Sequence, residues 1–305
     1  MQLVRYQSED KQTVVGVRSG DAITPIPGIR TVAELLRLPV AELKAIVESA
    51  VSDGSLAMRV DDVRLLPPLD GRAEVWCAGV TYERSRGARV EESTEYSIYD
   101  RVYVADRPEL FPKSPAWRLV TDGEPIGIRT DSGHDVPEPE LAVVVNRYGQ
   151  IAGYTVCNDV SSRSIEGENP LYLPQAKVYV GGCALAAGIR PVWQVTDPLD
   201  LTIRMTVRRE GGSAFEATTS TASLVRPLPD LVAALFAAND FPDGAVLATG
   251  TGIVPEMQFA LLPGDVVEIE IDQVGVLTNH VVRGKEPFGW LSDDRMERPQ
   301  LQEAR

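Results

Sequence analysis

The chain has 305 residues, of which 44% are hydrophobic and 24% are charged, and its formal net charge at pH 7 is −14. This composition is typical of a folded soluble protein and excludes a wholly disordered or collagen-like chain. Because an acidic protein repels phosphate groups, we expect neither nucleic acid nor a membrane as a partner.

The cysteines and the N-terminal residues favour a cytoplasmic location. The three cysteines, Cys77, Cys157 and Cys183, are odd in number and widely spaced, unlike those of a disulfide-stapled secreted domain. Residues 1–10 lack the basic and apolar regions of a signal peptide. No apolar run approaches the roughly 20 residues of a membrane-spanning helix.

The N-terminal part of the chain has the pattern of a small α/β unit. Residues 3–6 and 13–17 are predicted to form short strands on either side of a polar turn. Helical spacing of apolar residues begins after Thr31, and Glu34 three positions later completes a capping-box pattern. Pro39 is expected to interrupt this helix, because proline breaks the helical hydrogen-bond ladder.

A domain boundary is predicted after this unit. A further strand is expected over residues 60–66, and it runs directly into the turn-forming sequence of residues 67–71. We therefore expect a small N-terminal α/β domain over residues 1–70 and a larger catalytic domain over residues 71–305.

The larger part is predicted to be mostly strands. Helical spacing is limited to residues 97–104, residues 228–239 and a turn or two after Asp159, and the charged tail after residue 292 is expected to fray. Because strands and helices do not alternate regularly, the fold class predicted is α+β and β-dominated. Segments rich in β-branched residues mark strands at residues 74–78, 141–145, 151–156, 201–207, 266–271 and 274–277.

Two glutamates at the start of an apolar strand form the most informative motif. Glu138 and Glu140 are spaced i, i+2, so in an extended chain they project from one face roughly 7 Å apart. Carboxylates crowded at a buried strand end repel one another unless a proton or a cation lies between them. Oxygen ligands without His or Cys suit Mg²⁺, Mn²⁺ or Ca²⁺. On this motif alone, two ordinary solvated glutamates are an equally good interpretation.

A third carboxylate and a lysine follow. If the two strands pair as a hairpin through residues 146–150, Asp159 returns toward Glu138 and Glu140 as a third oxygen ligand. The chain has only five lysines. Lysine, unlike arginine, can act as a base when burial or a nearby cation lowers its pKa. Lys177 is therefore a candidate base, although a chance surface lysine is as good an interpretation of this residue taken alone.

These motifs together resemble the fumarylacetoacetate hydrolase superfamily, over roughly residues 73–283. The resemblance implies a mixed β-sandwich or roll, a divalent cation held by Glu138, Glu140 and Asp159, and Lys177 at the substrate. The matching segments are residues 137–140, 158–163, Lys177, 248–251 and 262–269.

Residues 107–113 and 168–177 resemble a narrower branch, the 2-keto-3-deoxy-pentonate dehydratases. This resemblance implies that Lys177 and Glu109 transfer protons, in an order that stays open, while Mg²⁺ stabilises an enolate (Mn²⁺ or Ca²⁺ are possible) and the product is 2,5-dioxopentanoate. It further implies substrate contacts from Lys113, Arg163, Thr251 and Tyr82.

The sequence departs from the family pattern at two positions. Ser85 stands where hydrolases of the family carry a water-activating histidine, which favours lyase chemistry over hydrolysis. Ser164 follows Arg163 where the family usually has aspartate. This change affects the contacts that support the metal ligands and leaves the ligands themselves in place.

Three interpretations stay open at this point, of which the dehydratase is the first. The runner-up is an acylpyruvate-type hydrolase or an oxaloacetate-type decarboxylase of the same superfamily, and a third interpretation is a non-catalytic member that only binds. The resemblance also implies a homodimer or homotetramer acting on a small 2-oxo acid.

Overall fold

The computed structural model describes residues 1–53, 57–85, 87, 96–293 and 298. Most of the tail that is expected to fray lies outside the described residues. Among the helices in these ranges, none has the length and apolar character needed to cross a membrane.

Strands dominate the fold, as predicted. The α-helices are α1 (Val32–Leu36), α2 (Val40–Asp53), α3 (Tyr96–Val104), α4 (Arg163–Glu168), α5 (Leu173–Lys177) and α6 (Leu228–Phe236). The strands are β1 (Gln2–Gln7), β2 (Thr13–Ser19), β3 (Ala22–Pro25), β4 (Met58–Arg59), β5 (Arg64–Leu66), β6 (Glu74–Gly79), β7 (Glu109–Pro115), β8 (Ile126–Ile128), β9 (Asp135–Val136), β10 (Pro139–Val145), β11 (Ile151–Asp159), β12 (Ser161–Ser162), β13 (Cys183–Leu185), β14 (Gly188–Pro191), β15 (Thr202–Arg209), β16 (Gly212–Ser220), β17 (Ala245–Ala248), β18 (Val266–Ile271) and β19 (Gly275–Arg283).

Two sheets form the body of the molecule. A twelve-stranded sheet has the order β4-β3-β2-β1-β14-β11-β10-β17-β6-β7, with β13 beside β11 and β5 beside β1. A five-stranded sheet has the order β16-β15-β18-β19-β8, and β12 pairs with β9 separately. Most pairs are antiparallel, but β17–β6 and β19–β8 are parallel. The sheets are therefore mixed, and the β-dominated fold class is confirmed.

Strand β10 lies in the middle of a layered core, and all its residues are buried. Leu141 and Val143 belong to the same apolar cluster as Ile203 of the smaller sheet. Ala142, which projects from the opposite face, belongs to a cluster with Leu35 near the N-terminus. Because successive side chains of a strand point to opposite faces, this run packs on one side against the smaller sheet and on the other against helices. The glutamates that lead into β10 are thereby fixed on a rigid element.

The N-terminal elements follow the sequence pattern with one shortened strand. The amide of Glu34 donates to Thr31 Oγ1 at 3.2 Å, and α2 begins directly after Pro39. Residues 60–62 form a 3₁₀ turn instead of the first half of the predicted strand. Asp61 and Asp62 explain this difference, because aspartate is disfavoured in strands.

The N-terminal strands also continue the large sheet. Strand β1 pairs antiparallel with β14, where Leu3 lies opposite Ile189. The division at residue 70 into two domains stays a prediction.

Candidate metal centre and active site

Three buried carboxylates converge where β10 and β11 meet. The two strands form the predicted hairpin, in which Pro139 lies opposite Asn158. Glu138 precedes β10, Glu140 lies in it, and Asp159 ends β11, where its amide donates to the Glu138 carbonyl at 3.0 Å. One oxygen from each carboxylate lies within 4.8 Å of the others, and each residue is at most 2% exposed. This donor set fits a hard divalent cation.

Crowding of negative charge supports the same interpretation. The pKa of Glu140 is raised well above its usual value, first because burial removes water and then because the carboxylates of Asp159 and Glu138 are close. The amide of Gly250 donates to Glu140 Oε2 at 2.7 Å and partly offsets this effect. Gly250 has φ +92° and its Cα lies against Thr81, so a side chain there would clash. Glycine is thus required where the main chain reaches this carboxylate.

Lys177 reaches the carboxylates from the end of α5. Its Nζ donates to Glu138 Oε2 at 2.7 Å, to Asp159 Oδ2 at 3.0 Å and to Ser161 Oγ at 2.5 Å. The side chain is only 2% exposed. The structure therefore brings the candidate base into direct contact with two of the candidate metal ligands.

Lys113 holds the other side of Asp159. Its Nζ lies 2.5 Å from Asp159 Oδ1 and donates to the carbonyls of Val160 and Lys177 at 2.9 and 2.6 Å. The ammonium group thus donates two hydrogen bonds to main-chain carbonyls and forms a close ion pair with Asp159. Lys113 is not among the residues that line the cavity described below. Its contact with substrate stays a prediction.

Arg163 supports Glu138 from the start of α4. Its Nη2 lies 3.0 Å from Glu138 Oε1, and its amide donates to the carbonyl of His134 at 2.8 Å. Ser162 begins the helix by accepting the amide of Ile165 at 3.4 Å. Arg163 thus carries a positive charge beside a candidate metal ligand.

The departure at Ser164 is explained by a cluster of hydroxyls. Ser164 Oγ lies 2.9 Å from Ser132 Oγ, which also accepts a hydrogen bond from Ser162 at 2.8 Å. The three serines join the turn before β9 to the start of α4. Serine at 164 therefore still links these segments, through hydroxyls in place of a carboxylate.

Glu109 lies at the start of β7, opposite Gly79 of β6. Its carboxylate covers the Gly79 Cα so closely that a Cβ there would overlap the Oε2 atom. The absence of a side chain at Gly79 therefore leaves the space that the Glu109 carboxylate takes.

One cavity is lined jointly by the three carboxylates, Lys177 and Glu109. Two further lining residues, Ser85 and Glu166, are each 4% exposed. Ser85 lies in the cavity wall, and no histidine does among the described residues, so this part of the chain supplies no imidazole to activate water. The lining residues are Ala78, Gly79, Val80, Ser85, Glu109, Phe111, Glu138, Glu140, Asp159, Glu166, Leu173, Lys177, Gly250 and Thr251.

The remaining predicted substrate contacts are divided between two places. Thr251 lines this cavity, but its hydroxyl already donates to the carbonyl of Ile253 at 3.0 Å. Tyr82 instead lines a second cleft with Tyr103 and Gly252. Burial, followed by the Glu140 charge, raises the pKa of the Tyr82 phenol, which has no hydrogen-bond partner among the described residues. Its role in binding substrate stays a prediction.

Sequence reasoning did not assign roles to Ser161, Gly250 and Glu166. Ser161 contacts Lys177, Gly250 contacts Glu140, and Glu166 lines the cavity. Glu166 carries a signal that could have been used, since it lies three residues after Arg163 and so on the same face of a short helix.

Comparison with known proteins identifies the family of this chain. The family described as fumarylacetoacetate (FAA) hydrolase C-terminal matches residues 74–282. A Haloferax volcanii protein named probable 2-keto-3-deoxyxylonate dehydratase is 44% identical over 280 residues, which are 91% of this chain and 95% of that protein. The 2-dehydro-3-deoxy-D-arabinonate dehydratase of Saccharolobus solfataricus is 41% identical over 229 residues, 74% of this chain and 76% of that one.

A solved structure also superimposes over nearly the whole length. It is a 2-keto-3-deoxy-D-arabinonate dehydratase complexed with magnesium and 2,5-dioxopentanoate, with a TM-score of 0.77, 32% sequence identity and coverage of 93% of this chain and 99% of that one. The family match begins at the first residue of β6 and ends inside β19, so it includes every candidate metal ligand. The chain belongs to the fumarylacetoacetate hydrolase family.

Proposed function

We propose that this protein is a divalent-metal-dependent dehydratase that removes water from a 2-keto-3-deoxy-pentonate and yields 2,5-dioxopentanoate. The observation that carries the proposal is the cavity in which Lys177 and Glu109 face the three carboxylates. The named activities of the 44% and 41% identical relatives support it.

The residues fit Mg²⁺ as the cation. Glu138, Glu140 and Asp159 would hold it, because one oxygen from each carboxylate lies within 4.8 Å of the others. A cation bound there would polarise the 2-oxo group of the substrate as a Lewis acid. Mn²⁺ and Ca²⁺ have the same preference for oxygen ligands.

Two side chains would then move the protons of the elimination. Lys177 Nζ, in its neutral form, would take the proton from C3, and the protonated Glu109 carboxyl would give a proton to the C4 hydroxyl, which leaves as water. Tautomerisation through C5 completes the change to 2,5-dioxopentanoate. Both residues line the cavity from different elements, α5 and β7, so they can act on neighbouring carbons. Which of them acts first stays open.

The positive side chains around the cluster would balance the substrate carboxylate. Lys113 and Arg163 form ion pairs with Asp159 and Glu138, so they offset charge at the centre. We further propose that Arg163, Thr251 and Lys113 contact the substrate carboxylate after exchange of present partners, and that Tyr82 contributes from the adjoining cleft.

The test is a Mg²⁺-dependent assay with both C4 epimers of 2-keto-3-deoxy-pentonate. We expect 2,5-dioxopentanoate with at least one epimer, and no turnover in EDTA. Release of pyruvate instead would identify a C–C cleaving enzyme. Failure to convert any 2-oxo acid with Mg²⁺ bound would identify a non-catalytic binding protein. The cytoplasmic location, the homo-oligomer and the absence of nucleic-acid and membrane partners stay predictions.

A further inference from the structure

We propose that Glu166 selects the substrate by accepting a hydrogen bond from a hydroxyl on the chain beyond C3, and so disfavours a substrate that carries a second carboxylate. This inference rests on the proposed function. It adds that the same cavity prefers a polyhydroxy mono-acid to a diacid.

The position of Glu166 points to a role in the cavity. The residue is 4% exposed and lines the same cavity as Glu109 and Lys177. It lies in α4, three residues after Arg163, whose guanidinium contacts Glu138. The face of α4 that supports the metal-binding cluster therefore also presents Glu166 to the cavity.

The chemistry of a carboxylate explains the selection. An ionised carboxylate only accepts hydrogen bonds, and its two oxygens offer about four acceptor positions, so it can bind a substrate hydroxyl in addition to protein groups. A second carboxylate on the substrate has no proton to donate, and like charges at short range in a buried site repel. Glu166 therefore favours a hydroxyl and disfavours a carboxylate at the distal end of the chain.

The other groups around this part of the cavity do not take this role. Glu109 is assigned to proton transfer, and Glu138, Glu140 and Asp159 are assigned to the cation. Phe111 and Leu173 add apolar surface. Among the carboxylates that line the described cavity, Glu166 is thus the one to which the proposed reaction assigns no other role.

The experiment compares Glu166→Gln with Glu168→Gln. The amide of the first variant keeps the size of the side chain but removes its charge. Glu168 is a matched control because it lies in the same short helix with its side chain exposed. Two five-carbon probes, 2-oxoglutarate and 2-oxopentanoate, share the 2-oxo carboxylate and differ in whether C5 is a carboxylate. Their dissociation constants are measured by calorimetry on the full chain with Mg²⁺, independently of turnover.

The ratio of the 2-oxoglutarate dissociation constant to the 2-oxopentanoate dissociation constant should be at least about tenfold lower in Glu166→Gln than in the wild type. For the deoxy-keto pentonate, the KM of Glu166→Gln should rise on the order of tenfold, with a smaller change in kcat, as expected for the loss of a hydrogen bond to a charged group. Glu168→Gln should leave both values unchanged.

Two results would overturn the inference: an unchanged ratio of the two probe affinities, or an equal loss of both affinities together with Mg²⁺ binding, which would mark Glu166 as purely structural. If the wild type converts no deoxy-keto acid but the probe ratio changes as expected, the proposed reaction is wrong and the selection by Glu166 stands.

Discussion

The ammonium nitrogen of Lys177 lies 2.7 Å from Glu138 Oε2, so the candidate base and a candidate metal ligand form a buried ion pair. The same nitrogen lies 3.0 Å from Asp159 Oδ2. Lys177 therefore neutralises two of the oxygens that we propose for Mg²⁺. The lysine and the cation must compete for the charge of the cluster, and this competition gives the first prediction.

Lys177→Met should lose turnover and gain affinity for Mg²⁺. Removing a general base typically costs about 10²- to 10⁴-fold in rate. Removing a positive charge at this distance from the ligands should tighten Mg²⁺ binding at least about threefold, because repulsion between the cations is lost. Calorimetric titration with Mg²⁺ measures the affinity, and the exposed Lys285→Met is the control. Weaker Mg²⁺ binding in Lys177→Met would show that the lysine orders the carboxylates instead of competing with the metal.

Glu140→Gln should abolish tight Mg²⁺ binding and stabilise the metal-free protein. Loss of a metal ligand should lower the Mg²⁺ affinity by more than the roughly 10- to 100-fold that is typical when a residue hydrogen-bonded to a ligand is mutated. Because burial and two neighbouring carboxylates raise the pKa of Glu140, its charged form is disfavoured in the folded state, and a neutral amide removes this cost. We therefore expect a higher melting temperature in EDTA and a smaller Mg²⁺-induced shift.

Glu216→Gln, at an exposed carboxylate, controls for the loss of one negative charge. A lower melting temperature of Glu140→Gln in EDTA would contradict the electrostatic argument.

The metal-binding carboxylates could be predicted because the signals are local. The i, i+2 spacing of Glu138 and Glu140 and the hairpin that returns Asp159 depend on residues within about one strand pair. The partners of Lys113 could not be predicted in this way, because Asp159 is 46 positions away in sequence and the backbone carbonyls leave no pattern in it. The sequence resemblance placed Lys113 at the substrate, whereas in the structure its ammonium group contacts two main-chain carbonyls and Asp159.

The fold shows the same division between local and distant signals. The strand over Val266–Ile271 was predicted to the residue because this segment is rich in β-branched residues. The pairing of β1 with β14, which joins the N-terminal strands to the large sheet, leaves no local trace. Residues 60–66 were predicted as one strand because apolar residues flank Asp61 and Asp62, and the turn propensity of these aspartates proved stronger.

Gly79→Ala should impair proton transfer while leaving metal binding intact. The new Cβ would overlap the Glu109 carboxylate, which is the end of a flexible side chain and can move away at small cost in stability. We expect kcat to fall on the order of 10²-fold if Glu109 acts as the acid. Mg²⁺ affinity should stay within about twofold of the wild type, because the atoms nearest to the new Cβ all belong to Glu109.

Gly212→Ala is the matched control, since a Cβ on Gly212 would meet only the Arg209 carbonyl oxygen, at an ordinary contact distance of 3.7 Å, and Gly212 lies on the smaller sheet. Unchanged kcat in Gly79→Ala, with the variant folded, would remove Glu109 from the mechanism.

Asp122 should make the stability of the fold fall as the pH rises through the mildly acidic range. Its carboxylate accepts the amides of Ala187 at 2.8 Å and Thr278 at 3.2 Å, and so joins the segment before β14 to β19. Burial raises its pKa to about 6, although these amides and Arg18 act in the opposite direction. In an unfolded chain the pKa of aspartate is about 3.9.

Between these two pKa values the folded state binds more protons than the unfolded state, so the contribution of Asp122 is fully present below about pH 4 and is lost above about pH 6. The loss is at most about 3 kcal/mol in the free energy of unfolding. We therefore expect urea unfolding in EDTA to show that the difference in the free energy of unfolding between the wild type and Asp122→Asn shrinks, at the expense of the wild type, between pH 4.5 and pH 7. The exposed Asp240→Asn should show no such change. An advantage that grows with pH would mean that the two amide hydrogen bonds outweigh burial, and that the pKa of Asp122 is lowered in the folded protein.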